Sequence, residues 1–186
     1  EGPWAYYDRA IYFVSQRLHD REETRKLIDE SMPLHKAIKE QSERNERFSW
    51  LSDRMREAGD WSACEYCIGM IGDPFLAAFK RYQMWSARRD WDRAIENLTY
   101  LEEANDEKWT PRAKSAHAHL LKNELRRYEE AIALYRELAN PPGNLWAIQD
   151  CYKRWGKLKE ALVTLTEIEN SFPDDAPRAA WYKASY

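Results

Sequence analysis

Four stretches of the chain share one arrangement of apolar and small residues. Each begins with a polar segment and a short turn and continues with an aromatic residue or leucine. A small residue follows three positions later, and a large apolar residue four positions after that. The spacing i, i+3, i+7 places these positions on one stripe of a helix, and the small residue lets a neighbouring helix approach closely. The pattern predicts the turn and second helix of an antiparallel helix pair in 56–68, 86–98, 123–135 and 153–165.

The residues on the four stripes are of the same kinds. The stripes consist of Trp61, Cys64 and Ile68; Trp91, Ala94 and Leu98; Tyr128, Ala131 and Tyr135; and Leu158, Ala161 and Leu165. Gly59 and Gly156 lie in the turns, where a residue free to adopt positive φ ends a helix. Asp60 and Asp90 are predicted N-caps of the helices that follow. The small residues are 30, 37 and 30 positions apart, so the unit recurs with connections of unequal length.

The first part of the chain has a different pattern. Residues 3–18 read as a helix that begins at Pro3, with an apolar face, and residues 21–32 read as a second helix. Residues 33–58 contain no glycine, and no proline after Pro33. They predict one long helix that frays or bends near Ser42, with two abutting helices as the alternative.

The last full pair carries the clearest motif. Its apolar and polar positions are Leu145, Ile148, Gln149, Tyr152, Ala161, Leu165 and Pro173, and Trp181, Ala184 and Ser185 begin the pattern again. These residues resemble the tetratricopeptide repeat of bacterial-type proteins, a helix-turn-helix unit of about 34 residues. An earlier copy uses Phe48, Leu51, Ser52, Met55, Cys64 and Ile68. In the middle copies Arg81 falls at the leucine position of one and Lys122 at the tyrosine position of the other.

The resemblance implies the fold. It predicts an all-α chain in which antiparallel helix pairs stack into an α-solenoid of about four to five repeats. The predicted repeats are residues 45–72, 75–105, 111–140, 143–174 and a partial unit at 177–186. Residues 1–44 would hold a divergent helix pair and the start of the long helix.

The resemblance also implies a function. Members of the family commonly bind an extended peptide or a partner helix on the concave face formed by the first helices. The positions on that face are Ser49, Asp53, Arg56, Phe79, Gln83, Trp146, Asp150 and Lys153. The lysine of the family's carboxylate-binding clamp is replaced by Ser49, Phe79, Ala116 and Trp146, so that clamp is not supported. We expect a non-catalytic protein-interaction module of a larger protein; a regulatory or scaffold domain attached to an enzyme is the alternative.

Charge and composition narrow the choice of partner. The 186 residues include 29 basic and 32 acidic side chains, and a net charge of −3 provides no field for nucleic acid. A nucleic-acid-binding helical repeat is therefore the less favoured third reading. No run of 18 apolar residues predicts a membrane span. Three cysteines weakly favour a reducing, cytoplasmic compartment, and a chain that begins at Glu1 suggests a piece of a longer protein.

Candidate chemical sites are few. Cys64 and Cys67 form a C-x-x-C motif, but Cys64 is predicted a full turn inside a helix, where a redox cysteine is not expected. A zinc site would need two further ligands, for which Cys151, His117 and His119 are the candidates. We expect no cofactor, no metal and no catalytic residue. Self-association is a further expectation, through Trp181, Tyr182 and Tyr186.

Overall fold

The computed structural model describes residues 4–186, so the predicted helix start at Pro3 lies outside the described residues. The all-α prediction is confirmed: residues 4–186 form helices and connections and contain no strand. The helices are α1 (Ala5–Phe13), α2 (Arg21–Lys36), α3 (Gln41–Glu57), α4 (Trp61–Gly69), α5 (Pro74–Ala87), α6 (Trp91–Glu103), α7 (Trp109–Leu120), α8 (Tyr128–Glu137), α9 (Gly143–Trp155), α10 (Leu158–Ser171) and α11 (Ala176–Ala184). Two π-helical turns, Val14–Leu18 and Leu121–Leu125, extend α1 and α7.

The chain divides into two compact units. The first ends at Leu101 and the second is Glu102–Tyr186, so the division falls within α6. In the first unit the largest fully buried side chains include Phe48, Leu51, Met55, Ile68 and Met84. In the second they include Leu121, Leu165 and Ile168. Burial of such side chains is the main source of stability in each unit.

The stripe predicted from the sequence faces the core. Cys64 is 1% exposed, and Ala94, Ala131 and Ala161 are fully buried. The large apolar residues that follow them, Ile68, Leu98, Tyr135 and Leu165, are all at most 6% exposed. The aromatic residue or leucine that precedes them lies nearer the surface, and Leu158 is 46% exposed. The second and third positions of the predicted stripe are therefore buried, and its first position is half-buried or exposed.

One backbone geometry recurs in the four turns. A residue with positive φ precedes each second helix by two positions: Gly59 (φ 74°), Arg89 (59°), Arg126 (55°) and Gly156 (79°). The following N–H donates to a carbonyl near the end of the first helix: Asp60 to Met55 (2.9 Å), Asp90 to Trp85 (3.0 Å), Arg127 to Leu121 (2.9 Å) and Lys157 to Tyr152 (2.9 Å). This hydrogen bond satisfies a helix-end carbonyl in the manner of a Schellman motif. The predictions of positive φ at both glycines are confirmed.

The predicted N-caps are also confirmed. The Asp60 carboxylate accepts from the Ala63 N–H at 3.1 Å, and the Asp90 carboxylate accepts from the Arg93 N–H at 3.3 Å. Each bond satisfies one of the N–H groups that have no partner within the helix.

A π-helical turn corrects the sequence alignment of the third pair. The Leu121 carbonyl accepts from the residue after the positive-φ position, as Tyr152 does in the fourth pair. Leu121 therefore occupies the tyrosine position to which the sequence assigns Lys122. The π-helix inserts one extra residue into the first helix, so spacing counted along an ordinary α-helix is displaced by one. Leu121 is 2% exposed and packs in the core.

The long helix expected over residues 33–58 is two helices. Helix α2 passes through Pro33 to Lys36, and α3 begins at Gln41. Pro33 removes the N–H that would donate to the Asp29 carbonyl, and both residues are exposed, so this loss is tolerated. The Glu40 carboxylate caps α3 by accepting from the N–H groups of Ser42 and Glu43.

Candidate functional site

The predicted first-helix face of the first unit centres on an aspartate held by two cations. Asp53 on α3 accepts from the Lys80 ammonium on α5 at 2.6 Å, and the Arg56 guanidinium lies 3.4 Å from the same carboxylate. The Asp53 and Lys80 side chains are 23% and 12% exposed. Partial burial strengthens an ion pair by removing water screening, so this contact joins α3 to α5.

The other predicted residues of this unit are placed differently. Ser49 and Gln83 are half-buried, and the Gln83 Oε1 atom has no hydrogen-bond partner among the described residues. Phe79, expected to line a groove, is only 7% exposed and packs 5.4 Å from the Tyr82 ring. Phe79 therefore contributes packing rather than an accessible surface.

The second unit has a similar charged centre. Asp150 on α9 lies 3.1 Å from the Lys122 ammonium in the π-helical turn and 2.9 Å from the Arg154 guanidinium. Both units thus join consecutive first helices by an aspartate–lysine ion pair. The repeat pattern predicts Asp53 and Asp150 at this face, but it does not predict Lys80, Lys122 or Arg154 there. The extra residue of the π-helix shifts Lys122 by one position relative to an α-helical count. Arg154 could have been predicted, because it lies four residues after Asp150 on the same helix.

An aromatic cluster lies beside this charged centre. The Trp146 indole N–H donates to the Asp175 carboxylate at 3.0 Å, and the Arg178 guanidinium lies 4.3 Å from the centre of the indole ring. The Tyr182 ring is 5.6 Å away. These contacts hold the half-buried Trp146 between α9 and α11 in one orientation.

The C-terminal aromatic residues divide into two kinds. Tyr182 packs on Trp146, and the Tyr186 hydroxyl accepts a hydrogen bond from Gln149. The Lys153 ammonium lies 5.2 Å from the centre of the Tyr186 ring. Trp181 is 66% exposed. The Trp181 ring also lies 5.1 Å from the Tyr182 ring, so all three residues predicted to self-associate make contacts within their own unit, and Trp181 differs in its exposure.

The cysteines are buried. Cys64 and Cys67 are each 1% exposed, and the Cys64 thiol donates to the Ser52 carbonyl at 3.3 Å. Burial raises the pKa of both thiols to about 12 and that of Cys151 to about 11. Because the thiolate is the reactive and metal-binding form, this environment disfavours both kinds of chemistry.

The candidate zinc ligands are not assembled. His117 Nδ1 lies 2.9 Å from the Glu102 carboxylate, and burial lowers the pKa of His119. Across residues 4–186, no group of three or more histidine, cysteine, aspartate or glutamate side chains is arranged to hold a metal ion.

None of the helices in residues 4–186 combines the length and the hydropathy that a membrane span requires. No protein-family model, curated protein or solved structure matches the chain.

Proposed function

We propose that this chain is a non-catalytic protein-interaction module whose helix pairs are tetratricopeptide-like repeats stacked in a solenoid. The recurring turn supports the repeat assignment. Four connections place a positive-φ residue at the corresponding position, and in each the next N–H forms a helix-ending hydrogen bond. In each of the four second helices, a buried small residue lies four positions before a buried large apolar residue, which is Ile68, Leu98, Tyr135 or Leu165. Repeats of this kind bind partners on extended surfaces.

The first-helix face of the second unit is the proposed binding surface, and its partner is a peptide or helix of another protein. The observation that carries this assignment is the fixed Trp146 indole beside Asp150 and its two cations. The few residues that dominate the binding energy of a protein interface are enriched in tryptophan, tyrosine and arginine. Side chains already held in one orientation lose less entropy when a partner binds.

The test is a quantitative pull-down from the source cell with the intact chain and with Trp146→Ala and Asp150→Ala. We expect each variant to lose partner recovery by about tenfold or more, as for an interface hot spot. Val163→Ala is the matched control, because Val163 is 69% exposed on α10. Circular dichroism of each variant reports whether it folds. Unchanged recovery with folded Trp146→Ala and Asp150→Ala variants would exclude this face.

Self-association is a second candidate, supported by the exposure of Trp181. Burying this indole against a second copy would remove its apolar surface from water. Sedimentation of the intact chain and of Trp181→Ser tests it. A monomer at high concentration in both cases would exclude this contact.

A further inference from the structure

A second surface of the first unit has the form of an elongated groove. Pro74, Ala78, Arg81 and Trp85 line one side along α5, and Arg93, Glu96, Asn97 and Tyr100 line the other along α6. The two sets follow helical spacing, so each forms a stripe down its helix. The stripe on α5 spans about 16 Å, and the groove encloses about 510 Å³. This shape fits an elongated ligand better than a compact one.

Trp85 is held rigidly at one end of the groove. The Arg88 guanidinium lies 4.7 Å and the Arg93 guanidinium 4.4 Å from its ring centre. Arg88 also lies 5.9 Å from the Trp61 ring. Trp61 and Trp85 are only half-buried, so both rings are partly accessible. Stacked aromatic and guanidinium groups form a preorganised contact surface.

Arginines dominate the same end of the groove, and one lining carboxylate, Glu96, lies one turn further along α6. Arg81 pairs with Glu65 at 2.9 Å. Arg93 pairs loosely with Asp90 at 3.7 Å, and its side chain is 57% exposed. Among residues 4–186, no carboxylate lies within ion-pair distance of Arg88.

The opposite end is apolar. Pro74 and Ala78 lie there with Tyr100, which is 48% exposed, and the Phe75 ring is 6.1 Å from the Tyr100 ring. The groove therefore changes along its length from an arginine-rich end, past Glu96, to an apolar end.

We propose that this groove binds an acidic amphipathic helix of a partner protein. Its carboxylates would meet Arg93 and Arg88, and its apolar side chains would lie on Ala78 and Tyr100. Charge complementarity selects an acidic ligand over a basic one, and the length of the groove accommodates about three helical turns. Phe79 and Gln83 belong to a different side of α5, so this surface is separate from the first-helix face.

Synthetic helical peptides of 14 residues test the proposal, with affinities measured by fluorescence anisotropy against the intact chain. The probe peptides have a leucine stripe and two glutamates, placed in the first turn of one peptide and the last turn of the other. One matched peptide replaces the glutamates by lysine, and another replaces the leucines by serine. We expect saturable binding of a probe peptide and affinities about tenfold or more lower for both matched peptides.

Variants of the chain locate the binding. Arg93→Glu is expected to lower the affinity for the acidic peptide by about tenfold or more and to raise the affinity for the lysine peptide. Tyr100→Ser is expected to lower the affinity for both the glutamate-containing and the lysine-containing peptides. Lys159→Glu, an exposed charge reversal on α10, is the control and should change neither affinity. Absence of saturable binding up to about 1 mM, the weakest range of specific recognition, would overturn the proposal. Binding that persists in folded Arg93→Glu, or that is lost only in Trp146→Ala, would also overturn it.

Discussion

The buried carboxylate of Asp60 accepts a 2.9 Å hydrogen bond from the guanidinium of Arg25, which precedes it by 35 residues. The same carboxylate accepts from the Ala63 N–H and the Ser62 hydroxyl at the start of α4. Only 3% of its side-chain surface is exposed. Asp60 therefore caps α4 and also joins the turn before that helix to α2.

Replacing Asp60 should lower the free energy of unfolding more than replacing Asp90, which is its counterpart in the next helix pair. Asp60→Ala removes the cap and leaves Arg25 without its main partner, and we expect a loss of about 3 kcal/mol in the free energy of unfolding. Asp90→Ala is the matched control. Asp90 also caps a helix, but its side chain is 38% exposed, so we expect a loss of about 1 kcal/mol. Urea unfolding of both variants measures the difference, and equal losses would contradict the added role of Asp60.

The pKa of Asp60 predicts how the stability of the chain changes in acid. Burial alone would raise its pKa, but hydrogen bonds from Arg25, Ala63 and Ser62 lower it to about 2. The unfolded chain therefore takes up a proton first as the pH falls. The contribution of Asp60 should be complete above pH 4 and should disappear as the pH falls through about 2. Unfolding of the intact chain and of Asp60→Asn at pH 5, 3 and 2 should show a steeper decline for the intact chain.

His35 predicts a separate pH dependence at higher pH. Its ring is fully buried, with Nε2 3.2 Å from the Ser31 hydroxyl. Burial and the nearby Arg47 lower its pKa from 6.5 to about 4, against an opposing effect of Asp8. The folded state thus favours the neutral ring, while the unfolded chain is protonated below pH 6.5. Stability should fall by up to about 3 kcal/mol between pH 6.5 and 4.

The His35→Gln variant isolates this effect. Glutamine does not titrate and retains a polar group near Ser31, so the variant should unfold with similar stability at pH 6.5 and 4.5. The intact chain should be less stable at pH 4.5. Parallel declines in the two proteins would assign the pH dependence to other groups.

Substitutions at two positive-φ residues of the turns, Gly59 and Arg89, should change stability in opposite directions. No atom lies within 4 Å of a Cβ built on Gly59, so Gly59→Ala introduces backbone strain without a clash. We expect it to destabilise the chain by about 1 kcal/mol. Arg89 already adopts φ 59° with a side chain, so Arg89→Gly relieves that strain and should be neutral or stabilising. Thermal unfolding measures both, and a loss of stability in Arg89→Gly would show that its side chain supports the turn.

Helix type and core positions could be predicted from the sequence, because the stripe of Cys64, Ala94, Ala131 and Ala161 follows a simple helical period. Two features could not. The π-helix displaced Lys122 by one position, and no local residue type announces such an insertion. The break before α3 is capped by Glu40, which is not among the usual N-cap residues. The charged centres at Asp53 and Asp150 also depend on residues from neighbouring helices, which spacing along one helix cannot reveal.

The thiols of the C-x-x-C motif should be unreactive in the folded chain. Cys64, Cys67 and Cys151 are buried, and their raised pKa values leave little thiolate at pH 8. A thiol reagent should therefore label all three slowly in buffer and rapidly in denaturant. Cys64→Ala should retain stability, because Ala94, Ala131 and Ala161 occupy the corresponding positions. Cys64→Leu should lose about 2 kcal/mol by overpacking. Rapid labelling of the folded chain, abolished by Cys64→Ala, would instead show that this thiol is accessible.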